Sequence, residues 1–415
     1  MIYDLFLFFV LVFQFLKIPF SKKKGPVIRK RWNFPKDLKK RGGPLYWFHA
    51  VSFGEMKAIL PFIQKVQKEL PEVQIWVSTI TETGFSLAKE LKNVTVFYLP
   101  FDFSYVMKKV KNFSPQKLFL SEGDYWPHFL QNAKKAGAHI TVLSAKFSDR
   151  SFSRYKRVPF LGKSLFSLVD LFCTQNTLYQ KRFLEMGVNL SKVQVTGNLK
   201  LHPQQGNLED YTNRFSLEKE DFVLTIGSSH DPEESLILHE IKPLLEKNRL
   251  KVFLAPRHIE RAASLSKLLE IEGVSYNMLS DKKASFAKVS VILVDQMGVL
   301  PSCYKASNLA IVAGSFHPSL EGHNVLEPVL LQVPVIFGPY TSSQIELKDL
   351  VLDYKAGKEL PISELKDFLH SEKKDLASMK KQTSLLKSSL EKTLETTWKA
   401  VFEKSCHQFS KSDKI

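Results

Sequence analysis

Residues 308–339 restrict the fold more than any other part of the chain. Residues 308–313 (NLAIVA) form a short apolar, β-branched run with the length of a buried strand. A loop follows at residues 314–328 (GSFHPSLEGHNVLEP), running into VLEPVLLQ with helical spacing. A second apolar run, residues 333–337, is closed by Gly338-Pro339. Strand, glycine-containing loop, helix and strand make the βαβ unit of a doubly wound parallel sheet. Such a unit puts the loop at the carboxyl edge of the strands, where these sheets bind ligands. Within the loop, Gly322 permits close approach of the backbone to a ligand. Asn324 suits a helix cap whose free N–H groups fit a phosphate. Glu327 stands one turn further on, where a carboxylate can take two ribose hydroxyls. A plain capped strand-to-helix connection has the same spacing, so the loop alone leaves both readings open.

The same alternation runs through the rest of the chain, and 415 residues are too many for one core. In the first half, strands are expected at 45–51, 75–79, 94–99, 117–120, 139–144, 171–174 and 193–196, with an amphipathic helix at 55–70. In the second half they are expected at 222–226, 252–254 and 290–294, ahead of the unit already described. Residues 201–220 are polar, carry Pro203, lack periodicity and read as a linker. Charged helical sequence follows Gly338, with a solvated helix from about 362 to 403. The expected organisation is an N-terminal membrane anchor (1–20), a first Rossmann-like domain (21–204) and a second (205–360). A C-terminal helical segment (361–415) packs back on the first domain.

Composition narrows the partners. A formal charge of +17 calls for an anionic partner, and no RNP-like or zinc-finger pattern points to nucleic acid. The three cysteines, Cys173, Cys303 and Cys406, are far apart and form neither a disulfide framework nor a zinc site. Residues 2–20 are almost all apolar and stop at Lys22-Lys23-Lys24, followed by Arg29, Lys30 and Arg31. Positive charge after rather than before the apolar run, and a bulky exit, fit an uncleaved anchor better than a signal peptide. The basic block places the remainder on the cytoplasmic side and adds attraction to anionic lipid. An ordinary buried N-terminal helix is the alternative.

Polar residues gather on the loops just after strands in both halves. His49, Glu55, Glu122, Asp124 and Lys200 do so in the first, and Ser228, Ser229, Arg257, Met297, Asn324 and Glu327 in the second. Two Rossmann-like domains with carboxyl edges facing across a cleft are the GT-B arrangement of glycosyltransferases and sugar-nucleotide epimerases. No GxGxxG fingerprint follows a strand and no GxxxxGK[ST] loop occurs, which disfavours a dinucleotide enzyme or an ATPase. The DxD pair of the other glycosyltransferase fold is also absent, which points to transfer without a metal or other cofactor.

The motifs RKRW, HAVSFGE, TITETG, SEGDYWP, the pair Arg150-Ser151, TGNLK, GSSH, APRH, DQMG and EGHNVLEP follow one another over nearly the whole chain. In this order and spacing the chain resembles the Kdo (3-deoxy-D-manno-octulosonate) transferases of lipopolysaccharide synthesis. The resemblance implies a CMP-Kdo donor, a lipid A precursor (lipid IVA) as acceptor, and inverting transfer at the cytoplasmic face of the inner membrane. It puts the catalytic base on Glu55 and two further functional groups on Glu122 and Lys200. It puts the CMP contacts on Pro256 and Arg257, on Met297, Gly298 and Val299, and on Asn324, Val325, Leu326 and Glu327. Ser228 and Ser229 either join that site or cap a helix. Arg150, Arg154, Lys156 and Arg157 suit the acceptor phosphates, although a charge run is usually a solvated face.

The chain departs from the family at three places. Asp124 and Tyr125 stand where a second glutamate and a leucine are usual, Val299 stands where Glu follows Met-Gly, and Glu321 and Val325 replace Gly and Pro around Gly-His-Asn. Physically, Glu55 follows a strand, a serine and a glycine at the start of a helix, where acidic residues are favoured anyway. A helix start lowers a carboxylate's pKa, so desolvation or Glu122 has to offset it if Glu55 is to serve as a base. His49 is more often a satisfied core histidine than a catalyst.

Overall fold

The computed structural model describes residues 2–17, 25–203, 208–245, 250–286, 289–371 and 373–403. The chain divides into two compact units, Met1–His202 with Leu390–Ile415, and Pro203–Ser389.

The first unit is built on β1 (Leu45–His49), β2 (Gln74–Thr79), β3 (Val94–Tyr98), β4 (Lys117–Ser121), β5 (His139–Ala145), β6 (Leu171–Thr174) and β7 (Val193–Val195). They form one sheet in the order β3-β2-β1-β4-β5-β6-β7, parallel throughout. Every residue of β1 (LYWFH) is buried, as expected for a strand covered on both faces. Alternate residues serve the two faces. Trp47 meets Trp76, Phe97 and Phe129 on one side, with its indole N–H donating to Ser78 Oγ at 2.8 Å. On the other, Phe48 stacks on Phe119 at 4.5 Å and meets Phe62. Phe62 belongs to the helix Phe53–Glu69, whose Met56, Ile59, Ile63 and Val66 recur at helical spacing on the same core. Trp398, Ala400, Val401 and Phe402 from the chain's end complete that face.

The second unit holds β8 (Phe222–Ser229), β9 (Leu250–Pro256), β10 (Tyr276–Met278), β11 (Val291–Leu293), β12 (Leu309–Val312), β13 (Val335–Phe337) and β14 (Gly357–Glu359). Their order is β10-β11-β9-β8-β12-β13-β14, again all parallel. The order reverses direction between β1 and β4 in the first sheet and between β8 and β12 in the second. At such a switch point the loops leaving the carboxyl ends diverge and open a crevice.

Several expectations need correction. Residues 201–220 are not wholly a linker: Tyr211–Arg214 is a helical turn, and Tyr211 and Phe215 pack on Phe253 in the second core. Their i, i+4 spacing is too short a pattern to stand out among polar neighbours; residues 204–207 lie outside the described residues. The helix expected from 362 to 403 is broken into Ile362–Glu364, Leu365–Ser371 and Lys373–Trp398, with a wider π turn at Lys399–Glu403. The N-terminal helix Ile2–Lys17 has 16 residues, and among the described residues no helix is long and apolar enough to cross a membrane. Residues 18–24, which include the end of the expected anchor and Lys22-Lys23-Lys24, lie outside the described residues.

Candidate active site

The switch point of the first unit collects the chemistry. Ser52 caps the helix Phe53–Glu69 by accepting the Glu55 N–H at 3.3 Å, and its hydroxyl donates to Glu55 Oε1 at 3.0 Å. Glu55 Oε2 accepts the Val51 N–H at 2.9 Å. Ser-x-x-Glu thus closes the helix start as a variant of the capping box, the carboxylate taking the N–H before the cap, and it feels Asp124 and Glu122 of the loop after β4. In that loop Glu122 takes a left-handed backbone (φ 58°), which costs a non-glycine residue free energy, and is held there by N–H to Leu143 O and C=O to Lys146 N, both 2.9 Å. Lys200 donates to Glu122 Oε1 at 2.8 Å. The lysine is set by a tight turn in which Asn198 Oδ1 accepts its N–H at 3.0 Å. Its side chain passes over Gly54: a Cβ there would lie 3.4 Å from Lys200 Cε. The lysine stem thus packs against the first turn of the helix that carries Glu55.

Burial raises the Glu55 pKa from 4.5 to about 7, against hydrogen bonds from Val51 and Ser52 that lower it; Asp124 and, less, Glu122 push it the same way as burial. Desolvation therefore outweighs the helix start, and a carboxylate titrating near neutrality is what general-base work requires. Asp124, also mostly buried and close to Glu122, is raised too. His49 is a different case. Burial lowers its pKa to about 3, so its ring is neutral, with Nδ1 on Ser78 and Nε2 without a hydrogen-bond partner. It is a core histidine with one unsatisfied nitrogen.

In the second unit, β9 ends in Pro256, which pairs with Ser229, and exposed Arg257 donates its N–H to Ser229 O at 3.0 Å. Ser228 is left-handed (φ 59°), and Ser229 Oγ donates to Glu234 Oε1 at 2.9 Å, so neither serine caps a helix by its side chain. Met297 is 70% exposed, and Gly298 is left-handed with open space where a Cβ would be. Val299 begins the helix Leu300–Lys305 and packs on the core beneath. That helix touches the short helix Leu326–Leu330, which puts buried Tyr304 near Glu327. Val325 and Leu326 are buried.

One reading of this loop holds and one needs correction. Asn324 caps the short helix, its Oδ1 accepting the Leu326 N–H at 3.0 Å while Val325 already has helical backbone. Gly322 is required for a structural reason, because a Cβ there would lie 2.8 Å from Thr341 Cα and its φ is +85°. The basic residues Arg150, Arg154 and Arg157 fall at i, i+4 and i+7 on the exposed helix Asp149–Arg157, while Lys156 is engaged by Glu185 at 3.1 Å.

Reading the residues one by one missed the roles of three others: His230, Glu233 and His323. Buried Glu233 accepts N–H groups from His230 (3.1 Å), Gly314 and Phe316 (3.2 Å), clasping the loop after β8 to the loop after β12. His230 and His323 approach Nε2 to Nε2 at 2.7 Å. The only signal was a histidine closing each of two glycine-bearing loops.

Residues 27–202 match the family described as 3-deoxy-D-manno-octulosonic-acid transferase (kdotransferase). A 3-deoxy-D-manno-octulosonic acid transferase of Chlamydia trachomatis is 34% identical over 413 residues, 96% of this chain and 95% of that one. One from Chlamydophila psittaci is 37% identical over 368 residues, 86% of this chain and 84% of that one. The chain belongs to the Kdo transferase family. Among solved structures, UDP-GlcNAc 2-epimerase of Neisseria meningitidis bound to UDP-GlcNAc aligns with a TM-score of 0.56 at 10% identity, covering 87% of this chain and 99% of that one. At that identity the likeness shows the fold alone, α/β with two parallel sheets of the GT-B kind. As a Kdo transferase the protein is a glycosyltransferase.

Proposed function

We propose that this Kdo transferase moves Kdo from CMP-Kdo onto a lipid A precursor, releasing CMP with inversion and without a metal. The observation that carries the reading is a half-buried carboxylate, Glu55, titrating near neutrality beside the Glu122–Lys200 pair at a sheet switch point. Glu55 takes the proton of the acceptor hydroxyl as its oxygen attacks the anomeric carbon, and the bond from that carbon to the phosphate oxygen breaks, its electron pair leaving with CMP. The loops of the second unit hold the nucleotide, with Arg257 meeting charge on the phosphate. The exposed arginines of Asp149–Arg157 suit acceptor phosphates. Mass spectrometry of products from purified protein, CMP-Kdo and the lipid A precursor tests the reaction; absence of a Kdo-extended lipid would overturn it. A calorimetric nucleotide panel tests the donor, since tighter UMP than CMP binding would transfer the assignment to a UDP-sugar enzyme.

Glu327→Ala is expected to weaken CMP binding about 10- to 100-fold, because hydrogen bonds to a charged group are worth about 1.5–3 kcal/mol. Unchanged affinity in a folded variant would remove Glu327 from the ribose.

The N-terminal helix supports attachment to the anionic inner-membrane surface, with the catalytic units on the cytoplasmic side. One side of it is docked: Asp4 accepts the Ser104 N–H at 2.8 Å, Tyr3 meets His128 edge-on at 5.2 Å, and Leu11 is buried. Leu5, Phe8, Phe9 and Val12 on the helix are exposed, as are Trp32 and Tyr105 near its docking site. An apolar face on a helix lying along the body suits insertion into the membrane interface. Changing Phe8 and Phe9 to serine, which spares the docking residues, should weaken vesicle binding at high salt by at least about tenfold, given about 1.5–3 kcal/mol for a buried apolar side chain. Cosedimentation equal to wild type would exclude this face.

A further inference from the structure

The switch point of the second unit holds an arrangement that no step above uses. His230 closes the loop after β8, and His323 stands in the loop after β12. Their rings lie 5.0 Å apart and nearly parallel, at 18°, with Nε2 facing Nε2 at 2.7 Å. Two neutral imidazoles can meet this way only if one carries its proton on Nε2 and the other on Nδ1. The pair therefore has one N–H···N bond and room for one further proton, on the outward Nδ1 of the donating ring. A second added proton would break the bond.

The framework holds the pair in place. Glu233 fixes the His230 backbone and binds Gly314 and Phe316 of the facing loop. His323 lies so close over Gly314 that a Cβ there would be 2.4 Å from its ring. Glycine at 314 is thus what lets the second histidine reach the first. Around the pair, His258 meets His230 edge-on at 6.0 Å, and Arg257 and Arg261 add positive charge. Of the carboxylates, Glu234 is already paired with Arg261 and Ser229, and Glu233 with backbone N–H groups. Asp231, next in the chain, acts on Arg261, so the setting around the pair is on balance cationic.

We propose that His230 and His323 act as one proton-accepting pair that receives the phosphate of the nucleotide, with Arg257 and His258 beside it. This rests on the donor reading above and adds the group that meets the phosphate. Burial and the neighbouring positive groups lower the pKa of both rings, His323 to about 4, so the free protein carries a neutral pair. An approaching phosphate dianion reverses that electrostatic balance and draws one proton onto the pair. By linkage, a proton taken up on binding makes binding tighter as pH falls from 8 toward 6.

The test is calorimetric titration of the full chain with CMP at pH 7 in buffers of different ionisation enthalpy, which reads protons taken up per CMP bound. CMP's own phosphate titrates in this range, but equally for wild type and variants. Wild type is expected to take up roughly half a proton or more beyond His230→Gln and His323→Gln, each of which should also bind CMP at least about tenfold more weakly. Circular dichroism confirms that the variants are folded, and Asn replacements serve if either Gln variant is not. Equal uptake in wild type and folded variants would overturn the inference while leaving the donor assignment standing. No CMP binding by wild type at any pH would overturn both.

Discussion

Glu55→Gln is expected to leave a folded protein that binds CMP-Kdo and transfers about 10²–10⁴-fold more slowly, the range typical of losing a general base. The structure makes this a clean comparison. Glutamine keeps one oxygen for the Val51 N–H, and its amide N–H can donate to the Ser52 hydroxyl in place of the bond that hydroxyl now gives, so the helix start survives. What it loses is the ability to take a proton. The pH profile supplies a second readout. With its pKa raised to about 7 by burial, Glu55 is half protonated at neutrality and works only in its ionised form. Wild-type kcat/KM should therefore rise with pH through about 7, and the residual activity of the variant should lack that limb. The stability effect has the opposite sign: a carboxylate whose pKa is higher folded than unfolded stabilises fully below 4.5, and this contribution is lost as pH rises through about 7. Transfer within a few-fold of wild type under saturating acceptor would leave Glu55 as a cap and nothing more.

Glu233→Ala is expected to cost the second unit about 3–5 kcal/mol, because it strands buried N–H donors of His230, Gly314 and Phe316 at once. Glu233→Gln, which keeps one acceptor oxygen, should cost less. Urea unfolding followed by far-UV circular dichroism measures this. Tryptophan fluorescence does not, since Trp32, Trp47, Trp76, Trp126 and Trp398 all belong to the first unit. A shift worth under about 1 kcal/mol would show that the two loops hold together without the clasp.

How much was legible in the sequence depended on whether one segment carried its own cause. The run LYWFH declares a doubly covered strand because every residue in it is apolar or neutral, and Ser52 with Glu55 declares a helix start three residues apart. The same holds for the order of the loops, since parallel strands force each carboxyl end to the same edge. Where the cause lies in a distant residue, the reading failed. VLEPVLLQ has helical spacing, yet the helix stops at Leu330 and Gln332 turns left-handed (φ 63°) to start the next strand. Gly322 was read as room for a ligand, whereas Thr341 occupies the space. The meeting of His230 with His323 joins loops 93 residues apart and has no local pattern at all.

The completion of the first core by Trp398, Ala400, Val401 and Phe402 has a consequence for synthesis. Phe402 stacks on Tyr46 at 6.2 Å and Lys65 pairs with Glu395, residues 330 apart in the chain. The seven strands of that unit emerge from the ribosome before the second unit, yet one aromatic face stays uncovered until residues 398–402 have been made. The second unit is contiguous, from Pro203 to Ser389, and has all its residues before then. Maturation thus runs from the middle of the chain outward, and the first unit spends the whole translation of the second with Tyr46 and Phe62 short of their partners. A premature stop at residue 389 does not trim a tail; it uncovers the unit that was made first.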